Sequence, residues 1–422
     1  MEVKPGYRQT ESGVIPNDWD SPSLGEVLLG RQLGGNYKNS EVISKYPLIK
    51  MGNLDRGKIN LNKLEYIIST MVPNPKDKLH NNDVLFNTRN TLELVGKVAL
   101  WKNELGEAYF NSNIMRMSFT SGLVSSAPFM NYVLNTTSTI KQLFAIATGT
   151  TSVAAIYSRD LVKVSIPLPP KKEQESIAEA LSDADAYIES LQKIIAKKRL
   201  IKQGAMQELL TGTRRLPGFN DEWVESQLGK SATLKARIGW QGLTTNEYRT
   251  TGDYYLVTGT EFRDGYIDWD KCHFVEKSRY SQDKNIQLSP RDVLVTKDGT
   301  IGKVALVTSL TKPATLNSGV FVIRPIKNAF QQEFFYYLLI SNVFTEFLNQ
   351  LSAGSTINHL YQKDFVTFKY SAPSQIEEQI AISKILIDLD NEILTLESKL
   401  SKHKELKLGM MQELLTGSIR LV

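Results

Sequence analysis

Met206-Gln207-Glu208-Leu209-Leu210-Thr211-Gly212 recurs without change at Met411-Gln412-Glu413-Leu414-Leu415-Thr416-Gly417. Seven identical residues do not recur by chance in a chain of 422, so the separation of 205 is traced outward from them. Trp19 with Leu24-Gly25 answers Trp223 with Leu228-Gly229. Asp83-Val84-Leu85 answers Asp292-Val293-Leu294, and Gly96-Lys97-Val98-Ala99-Leu100 answers Gly302-Lys303-Val304-Ala305-Leu306. Asn111-Ser112 answers Asn317-Ser318, and Gly149-Thr150-Thr151 answers Gly354-Ser355-Thr356. The separation drifts between 204 and 209 over these early motifs, then holds at 205 from Glu173-Gln174 (Glu378-Gln379) onward. The chain is therefore an internal repeat. Each copy has a globular part that tolerates loop changes and a following part that must keep its length.

The fixed part carries a helical seam. Ile177, Leu181, Ala184, Ile188, Leu191 and Ile195 are spaced alternately by four and three, and Ile382, Leu386, Leu389, Ile393, Leu396 and Leu400 repeat the pattern. Such spacing predicts two long coiled-coil helices. Pro169-Pro170 opens the first, and Ser374 with Glu377 predicts a capping box for the second. Gly212 and Gly417 stand where C-terminal stops belong. Gly204 and Gly409 lie inside the helices, where either a closely packed partner backbone or a kink would account for them.

Charge sets the direction of pairing. The first helix is acidic early (Glu173, Glu175, Glu179, Asp183, Asp185, Glu189) and basic late (Lys193, Lys197, Lys198, Arg199, Lys202). The second is acidic over Glu377, Glu378, Asp388, Asp390 and Glu392, then carries Lys399, Lys402, Lys404 and Lys407. Antiparallel pairing sets each basic half against the other's acidic half. The same order also suits each helix dipole. The expected fold is mixed α/β (α+β): two similar globular domains joined to two long antiparallel coiled-coil helices, with a pseudo-two-fold internal repeat. The expected boundaries are 1–168, 169–216, 217–371 and 372–422. Strands are expected at 83–87, 96–101, 114–119, 292–296, 301–308 and 320–324, and single helices at 129–147 and 330–351. Two related, non-identical domains on a two-fold spacer suit a split, asymmetric DNA site, because duplex backbones share that symmetry.

Composition excludes several classes. The chain is 41% hydrophobic and 23% charged, with 50 Lys+Arg against 45 Asp+Glu, a net charge of +5 and a pI near 8.9. That is a multidomain globular balance, mildly basic, compatible with nucleic acid. A single cysteine, Cys272, rules out a disulfide framework and a Cys-based zinc module. The four histidines include the adjacent Cys272-His273 pair, which cannot supply zinc spacing, so no metal site is expected. Gly96-Lys97 and Gly302-Lys303 lack the earlier glycine and following Ser/Thr of a phosphate loop. No methyltransferase or nuclease motif stands out, so no catalytic residue is assigned. No run approaches 18 apolar residues, and Met1-Glu2-Val3-Lys4-Pro5 is no signal peptide. A cytoplasmic protein with no membrane partner is expected.

These motifs resemble the specificity (S) subunit of type I restriction–modification systems. The resemblance covers almost the whole chain. It rests on the Trp-x4-Leu-Gly starts, the Gly-Ser/Thr-Thr segments, and the twice-repeated long helix ending in Met-Gln-Glu-Leu-Leu-Thr-Gly. One departure is Lys171-Lys172, which stands where the family has a Ser/Thr cap. The resemblance implies two target recognition domains, each reading half of a bipartite double-stranded DNA target in defence against foreign DNA. It implies helices that dock two modification (methyltransferase) subunits, with ATP-dependent restriction subunits joining them. It also implies no cofactor on this chain, since S-adenosylmethionine, ATP and Mg enter through the partners. The rival readings are a specificity subunit of a system with a fused methylase/nuclease chain, a self-sufficient methyltransferase or nuclease, and a coiled-coil scaffold without DNA.

Candidate DNA-facing residues lie in polar, Gly-containing loops. In the first domain they are Lys50, Asn53, Arg56, Lys58, Arg89, Asn90, Thr91, Lys97, Thr150 and Thr151. In the second they are Lys235, Arg237, Gln241, Thr258, Thr260, Arg263, Lys297, Thr300, Lys303, Ser355, Thr356 and Asn358. Arg and Lys read guanine or hold phosphate, and Asn and Gln read adenine. A loop cation is more often simply solvated. The basic run 193–202 has three readings: a solvated coiled-coil face, a partner contact, or a phosphate contact.

Overall fold

The computed structural model describes residues 4–239, 242–352 and 359–421. By internal contacts it divides into two units: Met1–Gln192 with Ser398–Val422, and Lys193–Glu397. The same plan builds both.

In the first unit, Leu28–Leu33, Ile114–Phe119, Val84–Asn87 and Val98–Leu100 form an antiparallel four-stranded sheet in that order. Its counterpart in the second unit runs Ala232–Lys235, Val320–Pro325, Val293–Thr296 and Val304–Leu306. A second sheet pairs Tyr109–Phe110 in parallel with Pro47–Ile49 in one unit, and Ala314–Leu316 with Tyr254–Val257 in the other. The repeated motifs are the joints of this plan. Asp83 accepts from the His80 amide at 2.9 Å and from Arg116 at 3.0 Å. Asp292 likewise accepts from the Ser289 amide at 2.8 Å and from Arg324 at 2.6 and 2.7 Å. Each arginine also donates to two backbone carbonyls, those of Lys76 and Lys78 or of Asn285 and Gln287. The Gly-Lys motifs are hairpin turns, with Gly96 and Gly302 at φ +75° and +77°, each leading into a strand. They are not phosphate loops.

The Trp-x4-Leu-Gly starts dock each globular part on the segment that leads into its long helix. Leu24 and Gly25 amides donate to Val164 and Val162 carbonyls, and Leu228 and Gly229 amides to those of Phe368 and Val366, all at 2.8–2.9 Å. A Cβ on Gly25 or Gly229 would lie 3.2 Å from the Val162 oxygen or 3.0 Å from Val366 Cβ, so the close approach favours glycine.

The long helices are Lys171–Leu209 and Ile376–Leu414, each 39 residues, or about 58 Å at 1.5 Å per residue. Both end in the same way. Gly212 and Gly417 adopt φ +72°, while the Arg214 and Ile419 amides reach back to the Glu208 and Glu413 carbonyls, which is a glycine-terminated helix stop. All twelve predicted seam residues are buried or half-buried. In each unit the pairing is antiparallel, as the charge order predicts. Asp185 meets Lys407 (2.5 Å) and Glu173 meets Arg420 (2.7 Å) in the first unit. Lys198 meets Glu392 (2.7 Å), Lys202 meets Asp390 (2.5 Å) and Arg215 meets Glu378 (2.8 Å) in the second. Lys198, Arg199 and Lys202 of the basic run thus face acids of the other helix, the pairing that the charge order predicts.

Two of these pairs form matched latches. Tyr132 donates to Asp185 at 2.8 Å where Lys407 also binds, and Tyr337 donates to Asp390 at 2.7 Å where Lys202 binds. Each lysine also lies over its tyrosine ring, at 5.4 and 5.6 Å. Burial raises the pKa of both phenols, which keeps them as donors. Tyrosine and aspartate come from one copy of the repeat, and lysine from the helix of the other.

The structure corrects four expectations. The helix expected at 129–147 is two, Ala127–Leu134 and Thr137–Ala145, and that at 330–351 is Gln332–Leu339 and Asn342–Ser352. Thr136 Oγ1 caps the Thr139 amide, and Ser341 Oγ accepts from the Val343 amide, so short polar side chains compete with the helix ladder. Two strands are shorter than expected, since 96–101 yields Val98–Leu100 and 301–308 only Val304–Leu306, while Ile114–Phe119 is as expected. The second long helix starts at Ile376, two residues past the predicted cap Ser374, and Glu378 in its first turn turns to Arg215. Finally, nothing beyond the helix's own neighbouring backbone lies within 4 Å of a Cβ built on Gly204 or Gly409, so close packing does not require glycine there. Replacing either by alanine should raise stability by about 0.5–1 kcal/mol in denaturant melts, through helix propensity and unfolded-chain entropy. A loss of stability would show that these glycines answer a constraint in the assembled protein.

Candidate nucleic-acid interface

The turn that follows each Asp-Val-Leu strand is the natural starting point. In the first unit its far side, Arg89–Asn90, pairs with Ala154–Ala155, which pairs in turn with Thr148–Gly149. The Leu92 amide donates to the Thr151 carbonyl at 3.1 Å. The fold thereby brings Arg89, Asn90, Thr91, Thr150 and Thr151 onto one surface, with Arg89, Thr150 and Thr151 exposed. In the second unit the turn holding Lys297 and Thr300 receives the returning chain in the same way. The Leu360 amide donates to the Lys297 carbonyl at 2.9 Å, and His359 pairs with Asp298. Lys297 lies over the Phe321 ring at 5.3 Å, and Thr300 is exposed while its carbonyl accepts from Thr296 Oγ1. Gln241, Ser355, Thr356 and Asn358 lie outside the described residues.

Other candidates are placed elsewhere. Asn53 is buried, accepting from the Lys50 amide and donating to the Asn60 and Lys63 carbonyls, so it shapes its own turn. Lys50 is paired with Glu65 at 2.8 Å and Lys97 with Asp55 at 3.6 Å. Arg56 and Lys58 line a cleft of about 650 Å³ together with Asp185, Glu189 and Lys407 of the long helices. Burial there lowers the pKa of Arg56. In the second unit Lys235 is exposed and Lys303 half-buried. Thr258 and Thr260 turn their hydroxyls to the buried Glu261, and Arg263 donates to the Thr260 and Phe262 carbonyls.

Arg237 is the clearest correction. It is 1% exposed and donates to the Leu316 and Arg279 carbonyls, Thr315 Oγ1 and Gln282 Oε1. No carboxylate is among these partners, and desolvation lowers its pKa. Arg237→Ala should therefore destabilise the second unit by about 2–4 kcal/mol, through a cavity and orphaned acceptors. Arg89→Ala, on an exposed turn, should leave stability within about 0.5 kcal/mol. Thermal melts of the two variants separate these roles. An Arg237→Ala protein that melts like the parent would return this residue to the surface.

Sequence reading singled out neither His359 nor an exposed tyrosine in each unit, Tyr157 and Tyr361. Their 204-residue separation was the available signal.

The chain belongs to the type I restriction modification DNA specificity domain family, which matches residues 16–197 and 220–406. It carries two copies of that domain. Over 98% of its length it is 26% identical to a Methanocaldococcus jannaschii chain provisionally named the type I restriction enzyme MjaX specificity subunit, covering 96% of that relative. The type I restriction enzyme MjaVIII specificity subunit of the same organism is 23% identical over the same shares. In fold it is similar to the crystal structure of the S subunit of a type I restriction–modification system from M. genitalium, with a TM-score of 0.63, 17% identity and 98% of each chain covered. Type I specificity subunits are thus its relatives across the whole chain. No helix among the described residues is long and apolar enough to cross a membrane.

Proposed function

We propose that this chain is the non-catalytic, sequence-reading subunit of a type I restriction–modification complex in the cytoplasm. Residues 1–168 and 217–371 act as target recognition domains, each reading one half of a bipartite, asymmetric double-stranded DNA target. Residues 169–216 and 372–422 act as spacer and as docking surface for two modification subunits, to which restriction subunits are added. S-adenosylmethionine, ATP and Mg belong to those partners.

The observation that carries this reading is the repeated juxtaposition. In both units a turn bearing a cation, Arg89 or Lys297, is bonded to the segment beside the Gly-Ser/Thr-Thr motif. Cations and amides on adjoining turns can hold phosphates and probe base edges. Apart from Arg89, Asn90, Thr91, Thr150, Thr151, Lys235, Lys297, Thr300 and Lys303, the described candidates serve the fold, a local pair or the inner cleft. Mixing the purified chain with duplex DNA should give binding that weakens steeply as salt rises. Methyl transfer should appear only once modification subunits are added. Binding of S-adenosylmethionine by the chain alone, or methylation without partners, would overturn the non-catalytic assignment.

A further inference from the structure

Tyr157 and Tyr361 occupy equivalent positions in the two units, and both are large rings left in water, 48% and 56% exposed. Each sits one residue beyond a backbone bond to the candidate turn. The Ile156 amide donates to the Thr88 carbonyl at 3.0 Å, and the Leu360 amide to that of Lys297 at 2.9 Å. Each is then fixed from the other side, since the Asp160 and Asp364 amides donate back to the Tyr157 and Tyr361 carbonyls. The rings are therefore held at the surface by matched scaffolding.

Each ring carries a cation two residues on. The Arg159 guanidinium lies 5.4 Å from the Tyr157 ring centre, and the Lys363 ammonium 5.6 Å from that of Tyr361. His359 packs against Tyr361 at 4.5 Å between ring centres. Arg159 also contacts Asp160 at 3.3 Å, an exposed pair of small energetic weight. Among the described residues neither tyrosine hydroxyl has a hydrogen-bond partner.

The base-reading turns differ between the units, Thr88-Arg89-Asn90 against Lys297-Asp298-Gly299, while the tyrosine and its cation are kept. Domains that read different sequences need different groups for the bases but the same group for what every sequence shares, the phosphate backbone. We propose that Tyr157 with Arg159, and Tyr361 with Lys363, are two phosphate clamps, one for each half-site. The hydroxyl donates to one backbone oxygen and the cation neutralises the same phosphate. The proposal rests on the DNA-reading function above.

The test uses the full chain and two duplexes, one carrying the motif methylated in a host with the intact system, the other a scrambled sequence. Affinity is measured across a salt series for Tyr157→Phe with Arg159→Gln, for Tyr361→Phe with Lys363→Gln, and for all four changes together. Each pair should weaken binding to both duplexes by the same factor and flatten the log–log salt slope by about 1, and the fourfold variant by about 2. The methylated motif should stay the same. Unchanged slopes, or losses confined to the cognate duplex, would overturn the clamp. A parent chain that itself shows no salt-dependent binding would instead bring down the DNA-reading function, and the clamp with it.

Discussion

A chain cut after Arg215 should form a symmetric dimer and, with modification subunits, direct methylation to a palindrome. The first unit is completed by residues 398–422, which such a fragment lacks. The missing pieces are Lys407 for the latch, Leu414 and Leu415 in the core, the Gly417 stop, and Arg420, which binds Glu173. The fragment's own residues 193–215 supply Lys202, Leu209, Leu210, Gly212 and Arg215 at the same places. A second copy can therefore finish the first, and the first the second, as a two-fold pair requires. One loss is Met410, which packs on the first core and which Ala205 would replace with less contact. Left alone, the fragment would expose apolar side chains worth about 1.5–3 kcal/mol each on burial, so association should win at micromolar concentration. Sedimentation reads the dimer and methylome sequencing reads the site. A monomeric fragment, or one that directs methylation to the parental asymmetric motif, rules the exchange out.

Lengthening both helices by one heptad, after Ile195 and after Leu400, should keep both half-sites and widen the gap between them. Seven residues add about 10 Å to each helix, on the order of three base pairs at about 3.4 Å each. The matched latches explain why both helices must change. An insertion in the first alone adds seven residues between Asp185 and Lys202 but none between Asp390 and Lys407, so one latch or the seam must give way. We therefore expect the single insertion to lose activity and the double one to methylate a respaced motif. An active double mutant with an unchanged gap would refute the helices as the ruler.

The sequence made the repeat, the helices and their direction legible because those features are periodic and local. Spacing of four and three names a seam, and an acid-to-base gradient names an orientation. The partners of buried polar groups were not legible. Asn53 and Arg237 have the composition of DNA-reading residues, yet one organises its own turn and the other holds two carbonyls in the interior. What decides between those fates is which distant strand lies alongside, and that is tertiary information. The helix breaks at Thr136 and Ser341 escaped for a related reason, since a serine or threonine suits a helix surface as well as a helix cap. The exposure of Arg89 was legible because a turn between two short strands stands at the surface in almost any fold that contains it.

The division of the first unit into Met1–Gln192 and Ser398–Val422, with all of Lys193–Glu397 between, fixes an order of assembly on the ribosome. The second unit is one continuous stretch and can close as soon as it emerges. The first must wait, with Asp185 and Glu173 open, until Lys407, Gly417 and Arg420 have been made. At about 5–20 residues per second that delay is on the order of 10–40 s. For that time the nascent chain holds a surface shaped for the Met-Gln-Glu-Leu-Leu-Thr-Gly segment, and residues 206–212 offer the same seven side chains first. The duplication thus builds a competitor for its own closure into every round of synthesis, and the second unit must claim residues 206–212 before the first can capture them.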